Sequence, residues 1–176
     1  PGKVVRMKPI ARQSSASLTL QSADETAAVA KLVAPMLKAG DVILLVGPVG
    51  AGKTHFARSV IQARLAATGQ AEDVPSPTFT LVQIYEAGAL EIWHADLYRL
   101  TQPDEATELG LLDAFETAVC LIEWPEKLAD LAPDAALTLT LTPMADEDAR
   151  QITLSARNPR WVEVFKALAK ADRADV

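Results

Sequence analysis

Gly47-Pro48-Val49-Gly50-Ala51-Gly52-Lys53-Thr54 matches the pattern G-x-x-x-x-G-K-[ST] at every fixed position. Gly47, Gly50 and Gly52 let successive backbone N–H groups turn inward around phosphate oxygens. Lys53 is placed to reach the outer phosphates of a nucleoside triphosphate, and the Thr54 hydroxyl to ligate Mg²⁺. Phosphoryl chemistry needs more than a cradle: a carboxylate near the metal and a group that places the attacking oxygen. Asp96 and Glu123 are the two candidates, because each closes an apolar run that reads as a strand, and parallel strands deliver their ligands at C-terminal ends. Ser76-Pro77-Thr78 is a proline-stiffened loop with two hydroxyls, of the kind that closes over a γ-phosphate. His94 shares the face of Asp96 under strand alternation, which suggests a role in orienting that carboxylate or simply a buried, hydrogen-bonded ring. Arg99 is available to offset phosphate charge or to pair with a local acid, and Trp124 to fill core or face a partner.

These residues need elements to hold them. Val42–Val46 is wholly apolar and reads as a buried parallel strand, and the segment after Thr54 places Phe56, Val60 and Ile61 on one helical face. A strand before the glycine-rich turn and a helix after it are the setting the motif requires. Leu18–Leu20 reads as a short strand. Ser22 with Glu25 is a capping-box pair opening a helix over about 24–38 that Gly40 closes. Phe79–Tyr85 and Leu90–Asp96 read as strands of a hairpin turning at Glu86–Ala89. Pro103 starts a short acidic helix, and Ala118–Ile122 is a second buried strand. Ala136–Thr142 and Gln151–Ser155 read as late strands around a polar turn, and a last helix over about 159–170 carries Trp161, Val164, Phe165 and Leu168 on one side. This order predicts an α/β fold of the P-loop NTPase kind, with a mostly parallel central sheet, antiparallel additions and helices on both faces.

Composition bounds the reading. The 176 residues predict a single domain, 1–176, and 49% hydrophobic with 23% charged residues is ordinary for a globular chain. Cys120 is the one cysteine, which points to a reducing compartment, the cytoplasm, and its apolar neighbours make it a structural thiol. No apolar stretch is long enough for a membrane helix. A net charge of −6 is a poor basis for gripping nucleic acid, so DNA is not expected as a ligand and any role with RNA runs through a partner protein.

The loop GPVGAGKT, Ser76-Pro77-Thr78-Phe79, the run His94-Ala95-Asp96-Leu97-Tyr98-Arg99-Leu100 and Ile122-Glu123-Trp124-Pro125-Glu126 together resemble the TsaE family in order and spacing, over about 18–155. The resemblance implies a weak ATPase, activated by TsaD and TsaB, for the threonylcarbamoyladenosine modification at position 37 of tRNA. The tRNA is met only through those partners. It implies ATP and Mg²⁺ as cofactors, with Lys53 and Thr54 on phosphate and metal, Glu123 as the metal-associated acid, Asp96 as a second metal- or water-positioning carboxylate, and Thr78 as the switch-like threonine. The stretch Ser22–Thr26 corresponds to the family's base-contacting segment. His55 departs from the family, which carries a hydroxyl residue there, and a slight change of phosphate contacts is expected.

Three other readings remain open from the residues. A small-molecule kinase would need an arginine-bearing lid, whereas Arg150, Arg157, Arg160 and Arg173 are scattered. A GTP-dependent switch would need Asn-Lys-x-Asp, and Asn158 is the sole asparagine. An ATP-binding subunit without turnover would not need two strand-end acids.

Overall fold

The computed structural model describes residues 13–70, 73–77 and 79–174. Seven strands form one sheet: β1 (Ser14–Leu20), β2 (Val42–Val46), β3 (Val82–Ala87), β4 (Leu90–Asp96), β5 (Val119–Glu123), β6 (Leu137–Pro143) and β7 (Arg150–Ala156), in the order β1-β7-β6-β2-β5-β4-β3. The centre is parallel, with β2 between β5 and β6 and β4 beside β5. Antiparallel pairs complete it on both flanks: β3 on β4, and β7 between β6 and β1. The expected α/β architecture is therefore the observed one.

Alternation along the central strands explains why helices cover both faces. Ile43 and Leu45 of β2 join Val119 and Leu121 of β5 in a core against α1 (Ala23–Val33), α2 (Lys53–Ala67) and α5 (Val162–Ala174). Val42 and Leu44 join Cys120 and Ile122 in a second core on the other face, with α3 (Asp104–Glu108) and α4 (Leu111–Thr117). A strand buried on both sides must be apolar at every position, which is what makes β2 and β5 uninterrupted apolar runs.

Several boundaries differ from the sequence expectation. The capping pair is present, with Ser22 Oγ accepting from Glu25 N at 3.3 Å and Glu25 accepting from Gln21 N at 2.7 Å. The α-helix ends at Val33, however, and a 3-10 turn over Ala34–Met36 follows, because Pro35 has no N–H to continue the ladder. β3 begins at Val82 rather than Phe79: Leu81 takes φ 64, a left-handed conformation that breaks the strand. The hairpin turn narrows to Gly88-Ala89, with φ 63 at Gly88. The short α4, whose Leu111, Ala114 and Phe115 are buried at helical spacing, and the 3-10 segment Pro125–Leu131 add to the expected elements.

The C-terminal segment is pinned to the front of β2. Arg160 forks onto the buried Asp41 carboxylate and donates to Met36 O at 2.8 Å, while Trp161 Nε1 donates to Ala135 O at 2.7 Å. Trp161, Val164, Phe165 and Leu168 are all buried, as the helical spacing predicts.

Candidate active site

Parallel register decides the site. Asp96 and Glu123 are lateral partners in the β4–β5 ladder, and Glu123 is also paired with Leu45, two residues before Gly47. Both acids therefore end their strands beside the phosphate-loop motif, although 27 positions separate them in the chain (123 − 96). The loop itself joins β2 to α2. Gly50 and Gly52 have φ 78 and 106, and a Cβ on Gly47 would lie 2.6 Å from Leu141 O, so no larger residue fits at that end of the loop. Gly52 is the N-cap of α2 and offers no side-chain acceptor, leaving the first-turn N–H groups available to an anion at the positive end of the helix dipole.

Glu123 is the hub. It is 2% exposed, and its Oε1 accepts the Thr54 hydroxyl at 2.7 Å while its Oε2 accepts His94 Nε2 at 2.7 Å. His94 is fully buried and its Nδ1 has no partner among the described residues, so the proton belongs on Nε2. The histidine thus orients Glu123, and not Asp96 as strand alternation alone suggested. Both acids lie on its face of the sheet, but the adjacent strand brings Glu123 within reach. Asp96 is 7% exposed and accepts the Tyr98 backbone N–H at 3.0 Å.

Lys53 is almost wholly buried. Its Nζ donates to Gly47 O and to Pro48 O (3.3 Å), and lies 3.6 Å from the centroid of the Trp124 ring. Burial pushes its pKa below the ordinary lysine value, against the opposing attraction of Glu123, Glu126 and Asp96. Trp124 adopts φ 59, which turns its ring out of the strand line and over the lysine, with Tyr98 packed 5.0 Å away. Trp124 is thus a wall of the site. A cavity of about 370 Å³ opens between residues 49–55 of the loop and Asp96, Tyr98, Glu123 and Trp124. Its mouth is apolar on one side, where Val49 is 80% exposed.

The threonylcarbamoyl adenosine biosynthesis protein TsaE family model matches residues 20–152. The chain belongs to the TsaE family. It is 42% identical to the tRNA threonylcarbamoyladenosine biosynthesis protein TsaE of Rickettsia conorii over 123 residues, covering 70% of this chain and 69% of that one. The Bacillus subtilis TsaE is 37% identical over 150 residues, 85% of this chain and 90% of its own. The fold is similar to the crystal structure of Bacillus subtilis YdiB, with a TM-score of 0.72 at 30% identity, over 95% of this chain and 98% of that one.

Within this family frame, the structure gathers Gly47 to Thr54, Asp96 and Glu123 in one place. Thr78 lies outside the described residues. Arg99 sits with its guanidinium 5.1 Å from the exposed Phe79 ring, and pairs with no carboxylate among the described residues. His55 Nε2 lies 2.9 Å from Ala23 O, which ties the start of α2 to the Ser22–Thr26 segment. Sequence reasoning missed Arg150, whose guanidinium reaches Gly50 O and Ala51 O behind the loop. No local pattern marks it, because its partners stand about a hundred residues earlier.

Proposed function

We propose that this protein is a Mg²⁺-dependent ATP-binding protein and weak ATPase that serves the threonylcarbamoyladenosine modification at position 37 of tRNA through a TsaD–TsaB-type complex. The observation that carries the reading is the Thr54–Glu123–His94 chain set at the N-terminus of α2, directly beside a glycine cradle. Thr54 donates its proton to Glu123, so its oxygen lone pairs remain free for a hard cation. Mg²⁺ binds through few protein oxygens and keeps water and phosphate as its other ligands, so Thr54, Glu123 and Asp96 fit it without a dedicated cage. When bound, Mg²⁺ neutralises charge on the β- and γ-phosphates.

The chain's own groups divide the remaining work. The loop N–H groups and the dipole of α2 hold the triphosphate. Lys53 exchanges its carbonyl partners for phosphate oxygens, and its depressed pKa rises as it gains that anionic partner. Asp96, fixed by Tyr98 N, orients the attacking water.

Adenine is favoured over guanine, since the sole asparagine is spent elsewhere: Asn158 Oδ1 accepts Arg160 N at 2.8 Å and caps the C-terminal turn. Neither Arg150 nor Arg160 is available as a kinase lid, because both bind backbone carbonyls. The acidic net charge of −6 suits a subunit whose tRNA contacts are made by partners. The test is Mg²⁺-dependent ATP hydrolysis with and without TsaD–TsaB and tRNA. A slow basal rate that rises with partners is expected; stimulation only by a small metabolite would replace this reading with a kinase.

A further inference from the structure

A phosphate loop turns N–H groups inward, so those of its carbonyls that face away from the cradle need partners of their own. In this protein two of them are met by a side chain from the far end of the chain. Arg150, the first residue of β7, donates from Nη2 to Gly50 O at 3.2 Å and from Nε to Ala51 O at 3.1 Å. The same planar group is anchored to its own turn, where Nη1 donates to Glu147 O at 2.6 Å and Ala149 O at 2.9 Å. One guanidinium therefore welds the β6–β7 turn to the loop.

We propose that Arg150 is a positioning residue for triphosphate binding. The peptide bonds Gly50–Ala51 and Ala51–Gly52 are planar and trans, so fixing each carbonyl fixes the next N–H in the opposite direction. Holding Ala51 O therefore sends the Gly52 N–H away from Arg150, on the side where Gly52 lines the cavity. The brace is needed because Gly50 and Gly52 flank these two peptides, both take positive φ, and nothing lies within 4 Å of where a Cβ would stand on either. Within the loop, Ala51 N to Pro48 O at 3.1 Å is the backbone bond that restrains the same stretch. The other end of the loop is pressed on the same hairpin, through Gly47 against Leu141 O. A lysine cannot substitute, because a single ammonium cannot span the fork of carbonyls that Nε and Nη2 reach together.

This inference rests on the nucleotide-binding reading above, and the experiment separates the two. Arg150→Lys and Arg150→Gln are compared with the parent in three measurements: calorimetric titration with Mg-ATP, steady-state hydrolysis, and amide exchange of Ala51 and Gly52 in nucleotide-free protein. Both variants are expected to exchange faster at Ala51, whose N–H the parent holds on Pro48 O, to bind ATP about tenfold more weakly, and to raise KM far more than they lower kcat. Urea midpoints close to the parent's are expected for both, since every bond of the fork ends on a backbone carbonyl and no apolar core side chain is removed. Parent-like affinity and exchange in Arg150→Lys would overturn the proposal, as would an affinity loss that merely follows a lowered urea midpoint. If the parent itself fails to bind ATP, the functional reading falls, while the exchange measurement still judges the brace.

Discussion

Replacing Glu123 by Gln tests the hub of the site with nearly the same shape and one charge fewer. The carboxylate accepts from both Thr54 and His94 at 2.7 Å, whereas an amide can accept on one side only. His94 decides which. Its Nδ1 is buried without a partner among the described residues, so the ring keeps its proton on Nε2 and claims the amide oxygen. The amide nitrogen must then face Thr54 Oγ1 and donate to it, occupying a lone pair that the parent leaves free for metal. Two charge-assisted bonds become neutral, each weaker by about 1 kcal/mol, so folding stability should fall by at most about 2 kcal/mol. Relief of a buried charge offsets part of that loss. With a urea slope of about 2 kcal/mol/M the midpoint drops by about 1 M or less. The effect on chemistry is larger: losing metal stabilisation of the transferring phosphoryl group at about 3 kcal/mol lowers the rate about a hundredfold. The assay is a Mg²⁺ titration of ATP binding beside single-turnover hydrolysis. ATP is expected to bind in the variant, with a much weaker Mg²⁺ dependence and slow turnover. Parent-rate hydrolysis with unchanged Mg²⁺ dependence would make Glu123 structural and leave Asp96 as the leading acid.

Lys53→Met should abolish tight triphosphate binding while the protein stays folded, and parent-like affinity by calorimetry would refute the loop assignment. Because Lys53 has a depressed pKa in the folded state, the unfolded chain binds more protons between that value and the ordinary lysine value. The parent should therefore gain stability relative to Lys53→Met as pH rises through that window, as read by denaturant midpoints. Gly47→Ala places a Cβ 2.6 Å from Leu141 O, and backbone strain of about 1–3 kcal/mol should lower both the melting temperature and ATP affinity. Cys120 is buried, and desolvation, aided by Glu91, pushes its thiol up to about 12, so it should resist thiol reagents at pH 8 until the protein is unfolded. Trp124→Ala should weaken nucleotide binding as well as partner coupling, since the ring covers Lys53, and Trp124→Phe should restore part of the loss. Unchanged ATP affinity in the alanine variant would return Trp124 to a partner-facing role alone.

The sequence by itself determined what depends on neighbours along the chain. Gly47 to Thr54 match a phosphate-loop pattern between a strand and a helix, and that match is legible because glycine permissiveness and helix polarity are local properties. Val42–Val46 and Ala118–Ile122 announce doubly covered strands because burial on both faces forbids polar alternation. From strand ends alone, Asp96 and Glu123 stand out as candidates. Tertiary structure decided everything that depends on which strands lie side by side. The parallel pairing of β4 with β5 hands His94 to Glu123, a choice that period-two alternation within β4 cannot make. Leu81 and Trp124 take left-handed backbones that no residue preference predicts, and the second of these carries the indole over Lys53. Arg150 meets the loop only because β7 runs antiparallel beside β6, which itself lies against β2. Hydrogen-bond partners a hundred residues apart leave no periodic trace in a sequence, so their pairing exists only once the sheet order is set.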